Sequence, residues 1–195
     1  MKATPLSLDG LLVLEPLLFR DERGAFFESF NAARFAELVG DHRPFVQDNH
    51  STSRSGVLRG LHYQSAPAAQ GKLVRVMRGA IFDVAVDIRP HSPSFGQWVG
   101  VMLSGENHKQ LWIPPGFAHG FLALTDCDVL YKTDAYYAPA LERSIRWDDP
   151  EIAIAWPLSG RPVLSPKDEA AGTLHQVREY PMPQRPEAVS HGLGL

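Results

Sequence analysis

The sequence contains little of what several protein classes require. Its 195 residues include one cysteine, Cys127, so an intramolecular disulfide and a cysteine-rich zinc module are both excluded. The 19 Lys and Arg residues do not exceed the 22 Asp and Glu residues, and the formal charge is -3. This charge argues against a protein that binds nucleic acid through bulk positive charge. No apolar run approaches the ~20 residues of a membrane-spanning helix.

Targeting and catalytic signatures are also missing. The first ten residues, MKATPLSLDG, contain no apolar signal-peptide region, and with the single cysteine they predict a cytoplasmic protein. The sequence has no serine-hydrolase elbow, phosphate-binding Walker loop or dinucleotide-binding G-x-G-x-x-G. A nucleophile or redox cofactor is therefore not expected, and proton-transfer chemistry remains.

The composition is otherwise that of an ordinary globular protein. Hydrophobic residues make up 44% and charged residues 21%, close to the usage of folded domains. The length predicts one domain, 1–180. The segment 181–195 is rich in proline and has little to bury, so we expect a mobile tail.

Short strand-like runs separated by Gly, Pro, Asn and Asp dominate the chain. The run 80–88 shows the pattern, because Phe82, Val84 and Val86 alternate with Asp83 and Asp87. The predicted strands are 10–19, 25–30, 45–49, 57–64, 72–77, 80–88, 98–103, 110–113, 120–125 and 128–133. So many short strands predict an all-β sandwich or small barrel.

Only two short peripheral helices are predicted. The first covers 31–39, with Asn31 as its N-cap. The second covers 166–177, with Ser165 as the N-cap and Pro166 at the first helical position. Asp168 would then be the third helical residue, where an acid favours the helix dipole.

Two glycine-containing stretches, 56–64 (GVLRGLHYQ) and 114–119 (PPGFAH), resemble the motifs of the cupin superfamily. The resemblance implies a cupin, or jelly-roll, β-barrel. It also implies positions for metal ligands, of which His62 and His119 fill two. Gln64 stands where another histidine is expected. Two histidines and a neutral amide are a poor site for a divalent ion, so no metal and no cofactor are predicted.

Several polar residues near these motifs form a candidate pocket. Each alone is more often structural, but a base, a cation and a phenol in one barrel mouth suggest an enzyme. Strict alternation would place Arg59 and His62 on opposite faces of a strand. Gly60 between them allows a bulge that turns both inward. Lys72 and Tyr131 on later strands would complete the group.

Over about Gly10 to Thr173 the sequence resembles the dTDP-4-dehydrorhamnose 3,5-epimerase family, metal-free enzymes of dTDP-L-rhamnose synthesis. The resemblance rests on the stretches 19–30 (FRDERGAFFESF), 46–50 (VQDNH), 57–64 (VLRGLHYQ), 70–75 (QGKLVR), 82–89 (FDVAVDIR), 94–100 (SFGQWVG), 111–121 (LWIPPGFAHGF), 130–132 (LYK) and 165–168 (SPKD). Many separate matches in the same order are more specific than any single motif.

The resemblance implies a role for each matching residue. His62 is the implied general base, Asp168 its partner, and Tyr131 the acid on the opposite face. Lys72 is implied beside the oxygen that becomes an enolate and as a substrate contact. Further substrate contacts are implied for Arg23, Glu28, Gln47, Asn49, Arg59, His119, Glu142 and Lys167, and pocket-wall positions for Phe19 and Phe26. A homodimer is also implied, in which Arg23 and Glu28 complete the partner's pocket.

Three other functions remain open at this stage. A related sugar-nucleotide enzyme on the same scaffold would be a 3-epimerase, a 5-epimerase or a 3,4-ketoisomerase. A metal-dependent cupin oxygenase is a second alternative, and a sugar-binding cupin module without activity is a third. The epimerases and the ketoisomerase would all bind a dTDP-4-keto-6-deoxyhexose. No nucleic acid or membrane partner is predicted.

Overall fold

A computed structural model describes residues 1–40 and 42–179. The predicted tail, 181–195, lies outside these residues. The strands are β1 Lys2–Pro5, β2 Leu12–Glu15, β3 Phe19–Asp21, β4 Gly24–Phe26, β5 Gln47–Ser53, β6 Leu58–Gln64, β7 Lys72–Arg78, β8 Ala80–Asp87, β9 Trp98–Ser104, β10 Gln110–Ile113, β11 Phe117–Ala123, β12 Cys127–Thr133 and β13 Glu142–Ser144. The helices are α1 Ala32–Val39, α2 Pro166–Glu169 and α3 Leu174–Glu179, with a 3₁₀ turn at Pro139–Leu141.

Two antiparallel sheets form the body of the described chain. The six-stranded sheet has the order β1-β2-β10-β7-β12-β5, and the five-stranded sheet has the order β13-β6-β11-β8-β9. Strands β3 and β4 form a separate hairpin. The predicted all-β cupin barrel is confirmed. In the described part of the chain, no helix is long and apolar enough to cross a membrane.

Three apolar clusters hold these sheets in place. The largest lies between them and joins Val74 and Val129 of one sheet to Ile81 and Phe121 of the other. A second cluster packs on the five-stranded sheet beneath the C-terminal segment, which contributes Trp156 among others. A third packs α1 against the six-stranded sheet. Polar residues that point between the sheets are therefore partly or fully withdrawn from water.

Strand β8 shows the consequence of this double burial. Phe82, Val84 and Val86 pack outward under the C-terminal segment. The alternate face points into the barrel, where Asp83 is fully buried beside apolar neighbours such as Ile81. The predicted alternation is therefore confirmed, although neither face of the strand is left to solvent.

The two helix predictions had different outcomes. Helix α1 begins after Asn31, whose side chain accepts a hydrogen bond from the Arg34 amide, as a cap should. The second predicted helix, 166–177, is wrong in its extent because it is broken into α2 and α3. Between them, Gly172 leaves the helix to bridge Ile145 in parallel fashion, and its carbonyl accepts a 2.7 Å hydrogen bond from the Arg146 amide.

The predicted bulge in β6 is also present. His62 pairs with His119 and Arg59 with Phe121, so the segment between the pairs is one residue longer on β6 than on β11. Gly60 has φ 120°, and a Cβ on it would lie 2.6 Å from the Gly120 Cα. Only glycine fits that close approach, and the extra residue turns both polar side chains to the same side.

Candidate active site

A cavity of about 350 Å³ opens between the two sheets. Eight of the residues predicted from the sequence line it: Gln47, Asn49, Arg59, His62, Lys72, His119, Tyr131 and Glu142. They come from strands of both sheets, namely β5, β7 and β12 on one side and β6, β11 and β13 on the other. The barrel thus brings together residues that are far apart in the chain.

His62 forms a close pair with Asp168. Its Nε2 lies 2.6 Å from Asp168 Oδ1. The Ser165 hydroxyl donates to Asp168 Oδ2 at 2.7 Å, and the Gly60 amide donates to Oδ1 at 3.3 Å. Burial raises the pKa of the Asp168 carboxyl, but hydrogen bonds from His62 and Ser165 outweigh it and lower the pKa. The carboxylate is therefore ionised and can orient the imidazole.

The short helix α2 aims this carboxylate. Ser165 caps the helix by accepting from the Asp168 amide at 3.1 Å. Pro166 occupies the first turn, as predicted. Asp168 is thus both an acid in the first turn of a helix and the partner of His62. The structural interpretation of this residue is confirmed, while its catalytic role beside His62 stays a prediction.

Lys72 and Tyr131 occupy neighbouring strands of the six-stranded sheet. The Lys72 ammonium is buried and donates to the His62 carbonyl oxygen at 3.4 Å. Burial lowers its pKa to about 8, although Asp83 and Glu142 oppose the shift. Burial also raises the pKa of the Tyr131 phenol, and Glu142 adds to the effect. The phenol therefore keeps its proton at neutral pH and can donate it.

A second histidine–carboxylate pair lies deeper in the barrel. His119 Nε2 is 2.7 Å from Asp83 Oδ1, and both side chains are buried. Sequence reasoning included His119 but missed Asp83. The signal was an acid on the inward face of β8, between the apolar residues Ile81 and Ala85 on the same face.

Glu142 links the cavity wall to α2. Lys167 pairs with Glu142 Oε1, and the Tyr137 hydroxyl donates to Oε2 at 2.8 Å. Burial raises the pKa of Glu142, but these two partners outweigh it and lower the pKa. Lys167 itself does not line the cavity and reaches it through Glu142. Tyr137, which lines the cavity mouth, was missed in the sequence because nothing distinguishes it from Tyr136 beside it.

Three glutamines hold the segment that carries Tyr137. Gln47 Oε1 accepts from the Tyr137 amide at 3.0 Å, and Gln70 donates to the Ala135 carbonyl at 2.8 Å. Gln64 accepts from the Ala138 amide at 2.7 Å and donates to two backbone carbonyls. Its amide is therefore engaged in structure. In the described part of the chain, no group of three or more His, Cys, Asp or Glu side chains is arranged to hold a metal ion.

Four predicted residues lie away from this cavity. Phe19, Arg23 and Phe26 belong to the β3–β4 hairpin, and Glu28 follows it. Phe19 and Phe26 are 60% and 74% exposed. Arg23 pairs with Asp21 on the surface. Within one chain these residues do not join His62, so their predicted roles stay predictions.

Comparison with known proteins adds the family. The model of the dTDP-4-dehydrorhamnose 3,5-epimerase family matches residues 5–176. The chain belongs to this family. An enzyme of that name from Salmonella typhimurium is 58% identical over 171 residues, which cover 87% of this chain and 93% of the relative. One from Escherichia coli is 53% identical over 178 residues, which cover 91% and 96%.

Solved structures of the family share the fold. The Legionella pneumophila epimerase, described as a complex with dTDP-4-keto-L-rhamnose, is 53% identical. It superimposes with a TM-score of 0.90 and covers 95% of this chain and 98% of its own. The family and fold predicted from the sequence are therefore confirmed, and the chain is an isomerase.

Proposed function

We propose that this chain inverts carbons 3 and 5 of dTDP-4-keto-6-deoxy-D-glucose, as a dTDP-4-dehydrorhamnose 3,5-epimerase of dTDP-L-rhamnose biosynthesis. The observation that carries the proposal is the pairing of His62 with a buried carboxylate in a cavity that Lys72 and Tyr131 also line. His62 and Tyr131 project from opposite sheets. A hexose ring between them would face a base on one side and an acid on the other. A cytoplasmic location belongs to the same proposal.

The chemistry explains why these groups are needed. The carbon-4 ketone acidifies the hydrogens on carbons 3 and 5, and removal of either proton leaves an enolate with its charge on oxygen. His62 takes the proton, and Asp168 stabilises the imidazolium that forms. The buried ammonium of Lys72 stabilises the enolate oxygen, and one such donor is commonly worth ~3–4 kcal/mol. The reaction is redox-neutral, so it consumes no reducing equivalents.

Inversion requires that the proton return to the opposite face. Tyr131 is suited to this step because its phenol keeps its proton at neutral pH and lies in the opposite sheet. It would deliver that proton to the carbon as the enolate collapses back to the ketone. One residue cannot easily serve both faces, which is the physical reason for a histidine and a tyrosine.

The remaining predicted contacts in the cavity would bind the nucleotide sugar. Arg59 is oriented by the Ser53 hydroxyl at 2.9 Å and the Thr52 carbonyl at 3.2 Å, and a guanidinium is suited to a diphosphate. Gln47, Asn49 and His119 flank it in the cavity. Binding remote from the reacting carbons would hold the sugar against His62.

A homodimer is part of the proposal. The β3–β4 hairpin pairs and exposes Phe19 and Phe26, and such an apolar patch is unfavourable for a surface that stays in water. Arg23 lies in the turn of the same hairpin. In a dimer, the hairpin of one subunit would extend to the cavity of its partner. Phe19 and Phe26 would then wall the nucleotide, and Arg23 and Glu28 would contact it.

Proton exchange in heavy water tests the function directly. The enzyme is incubated with the keto sugar in D₂O, and proton NMR follows which carbons acquire deuterium and which invert. We expect label and inversion at both carbons 3 and 5. A relative from Streptomyces niveus, 38% identical, is named a 3-epimerase. Label at carbon 3 alone would assign that activity here, and binding without exchange would indicate a sugar-binding module.

The acid is tested separately with Tyr131→Phe. The variant keeps the ring but has no proton to deliver, so inversion should fall more than initial proton removal, particularly at carbon 5. The measurement is the ratio of deuterium incorporation to inverted product. Tyr137→Phe, at the mouth of the same cavity, is the matched control. Equal loss of exchange and inversion in Tyr131→Phe would contradict the assignment.

A further inference from the structure

Asp83 occupies an unusual position for a charged residue. It lies in the middle of β8, one of the central strands of the five-stranded sheet, and is fully buried among the apolar residues between the sheets. It does not line the cavity, so it cannot touch a substrate there. An ionised carboxylate is retained at such a depth only when something compensates for its charge.

The two carboxylate oxygens of Asp83 are used differently. Oδ1 lies 2.7 Å from His119 Nε2. Oδ2 is buried and has no hydrogen-bond partner in the described chain. By contrast, both oxygens of Asp168 accept hydrogen bonds. Asp83 therefore holds a histidine with one oxygen, while the charge on the other is not neutralised by a direct contact.

Two cations that line the cavity, Arg59 and Lys72, have no carboxylate partner among the described ion pairs. Arg59 donates hydrogen bonds to Ser53 and Thr52, whereas Lys72 is buried and donates only a long one to the His62 carbonyl. Among the described ion pairs, Asp83 pairs with His119, Glu142 with Lys167, and Lys72 with none. Burial disfavours the charged form of Lys72, and the attraction of Asp83 is the largest of the opposing influences, followed by Glu142. Lys167 adds a repulsion. The other titratable groups around the cavity are Arg59, His62, Tyr63, His119, Tyr131 and Tyr137.

We propose that Asp83 is a positioning residue that acts through two neighbours: it orients His119 and supplies the negative charge that keeps Lys72 an ammonium. The inference rests on the proposed role of Lys72 at the enolate oxygen. In this proposal Lys72 and His119, which line the cavity, contact the ligand. Asp83, which does not line the cavity, acts on the ligand only through these two side chains.

The proposal predicts the direction in which the pH profile of kcat moves when Asp83 is changed. Lys72 is an ammonium below its pKa of about 8 and loses its proton above it, so wild-type turnover should fall as the pH rises through that value. Asp83→Asn removes a negative charge and keeps the size of the side chain. The ammonium is then less favoured, and the alkaline limb of kcat should move to lower pH, by on the order of one unit.

The experiment measures deuterium exchange at saturating substrate from about pH 6 to 9.5. In Asp83→Asn, the ratio of the rate at low pH to that at high pH should rise about tenfold relative to wild type, for a shift of one unit. Asp83→Glu keeps the charge and should restore most of the alkaline limb. Asp87→Asn is the matched control, because Asp87 is a fully buried acid on the same strand held by Arg89, Ser92 and Ser94. Circular dichroism confirms that each variant is folded.

A second variant separates charge from histidine orientation. His119→Gln leaves the Asp83 charge in place, so the alkaline limb should not move to lower pH even though KM rises. A direct titration of the Lys72 ammonium by ¹⁵N NMR in the wild type and in Asp83→Asn gives the same information without turnover. If Asp83→Asn fails to fold, Asp83→Ser removes the same charge and takes its place. A downward shift in His119→Gln, or a limb in Asp83→Asn that coincides with wild type, would overturn the inference. Absence of exchange in the wild type would instead overturn the proposed function.

Discussion

Two histidine–carboxylate pairs lie in one barrel, and they differ in access and in support. The His62 side chain is 28% exposed, whereas that of His119 is 9% exposed. Asp168 accepts hydrogen bonds at both oxygens, but Asp83 leaves one oxygen unpartnered. The first pair is the more accessible one, and its carboxylate is hydrogen-bonded at both oxygens, which suits the proposed base. The second pair is more buried, and Asp83 Oδ2 has no hydrogen-bond partner, which suits the proposed positioning role of Asp83.

The same two residue types, a histidine and an aspartate, form both pairs, although the roles proposed for the pairs differ. Both pairs have N–O distances within 0.1 Å of each other, 2.6 and 2.7 Å. What distinguishes them is the strand bulge at Gly60, which tilts His62 toward the cavity, and the helix α2 that approaches it from outside the sheet. Position in the fold, rather than pair geometry, therefore supports His62 as the proposed base.

The largest expected effect comes from removing the exposed imidazole. His62→Ala should lower exchange of the ring hydrogens with solvent deuterium by about 10²–10⁴-fold, because a positioned base contributes that much. His119→Ala is the control, and it should raise KM while kcat for exchange changes far less. Equal loss of exchange in the two variants would contradict the difference between the two histidines. Normal exchange in His62→Ala would show that His62 is not the base.

The next largest effect is expected from removing the charge of Asp168. Asp168→Asn keeps the shape but cannot stabilise the imidazolium, so kcat for exchange should fall on the order of 10²-fold. Asp83→Asn, measured at a pH where Lys72 remains charged, should cost much less. Steady-state deuterium exchange by both variants in parallel gives the comparison. A larger loss in Asp83→Asn would mean that the deep pair supplies the base.

The smallest effect is expected at Ser165. Ser165→Ala removes both the cap of α2 and one of the hydrogen bonds to Asp168. Loss of the cap should cost about 1 kcal/mol in the free energy of unfolding, and kcat should fall a few-fold as Asp168 loosens. Ser165→Thr should retain both contacts and most of the activity. Urea denaturation and kcat measured on the same preparations test this, and an unchanged kcat would show that Asp168 does not depend on the cap.

Much of the fold and site was predictable from local patterns. The alternation of Val84 and Val86 with Asp83 indicated a strand, and Ser165 with Pro166 indicated a helix start, because both signals act between residues close in sequence. The bulge was predictable because strict alternation would place Arg59 and His62 on opposite faces, and Gly60 between them allows an extra residue. Family motifs then indicated eight residues that the cavity brings together.

The remainder depended on contacts between distant segments. His62 and Asp168 are 106 residues apart, and no local signal states that α2 folds back against β6. The break after α2 results from the pairing of Gly172 with Ile145. Tyr137 and the structural roles of Gln47, Gln64 and Gln70 could not be identified, and the inward acid Asp83 was missed, because the importance of these residues arises from what they face across the barrel.

The sequence by itself determined the strand-rich fold, the family and the kinds of side chain available for proton transfer, because strand periodicity and motif order are properties of neighbouring residues. Only the tertiary structure decided which histidine is exposed, which acid is left with an unpartnered oxygen and how far the pKa of Lys72 is lowered. Burial and electrostatic interaction depend on everything within a few ångströms of a group. In this barrel those neighbours come from strands of both sheets and from a C-terminal helix.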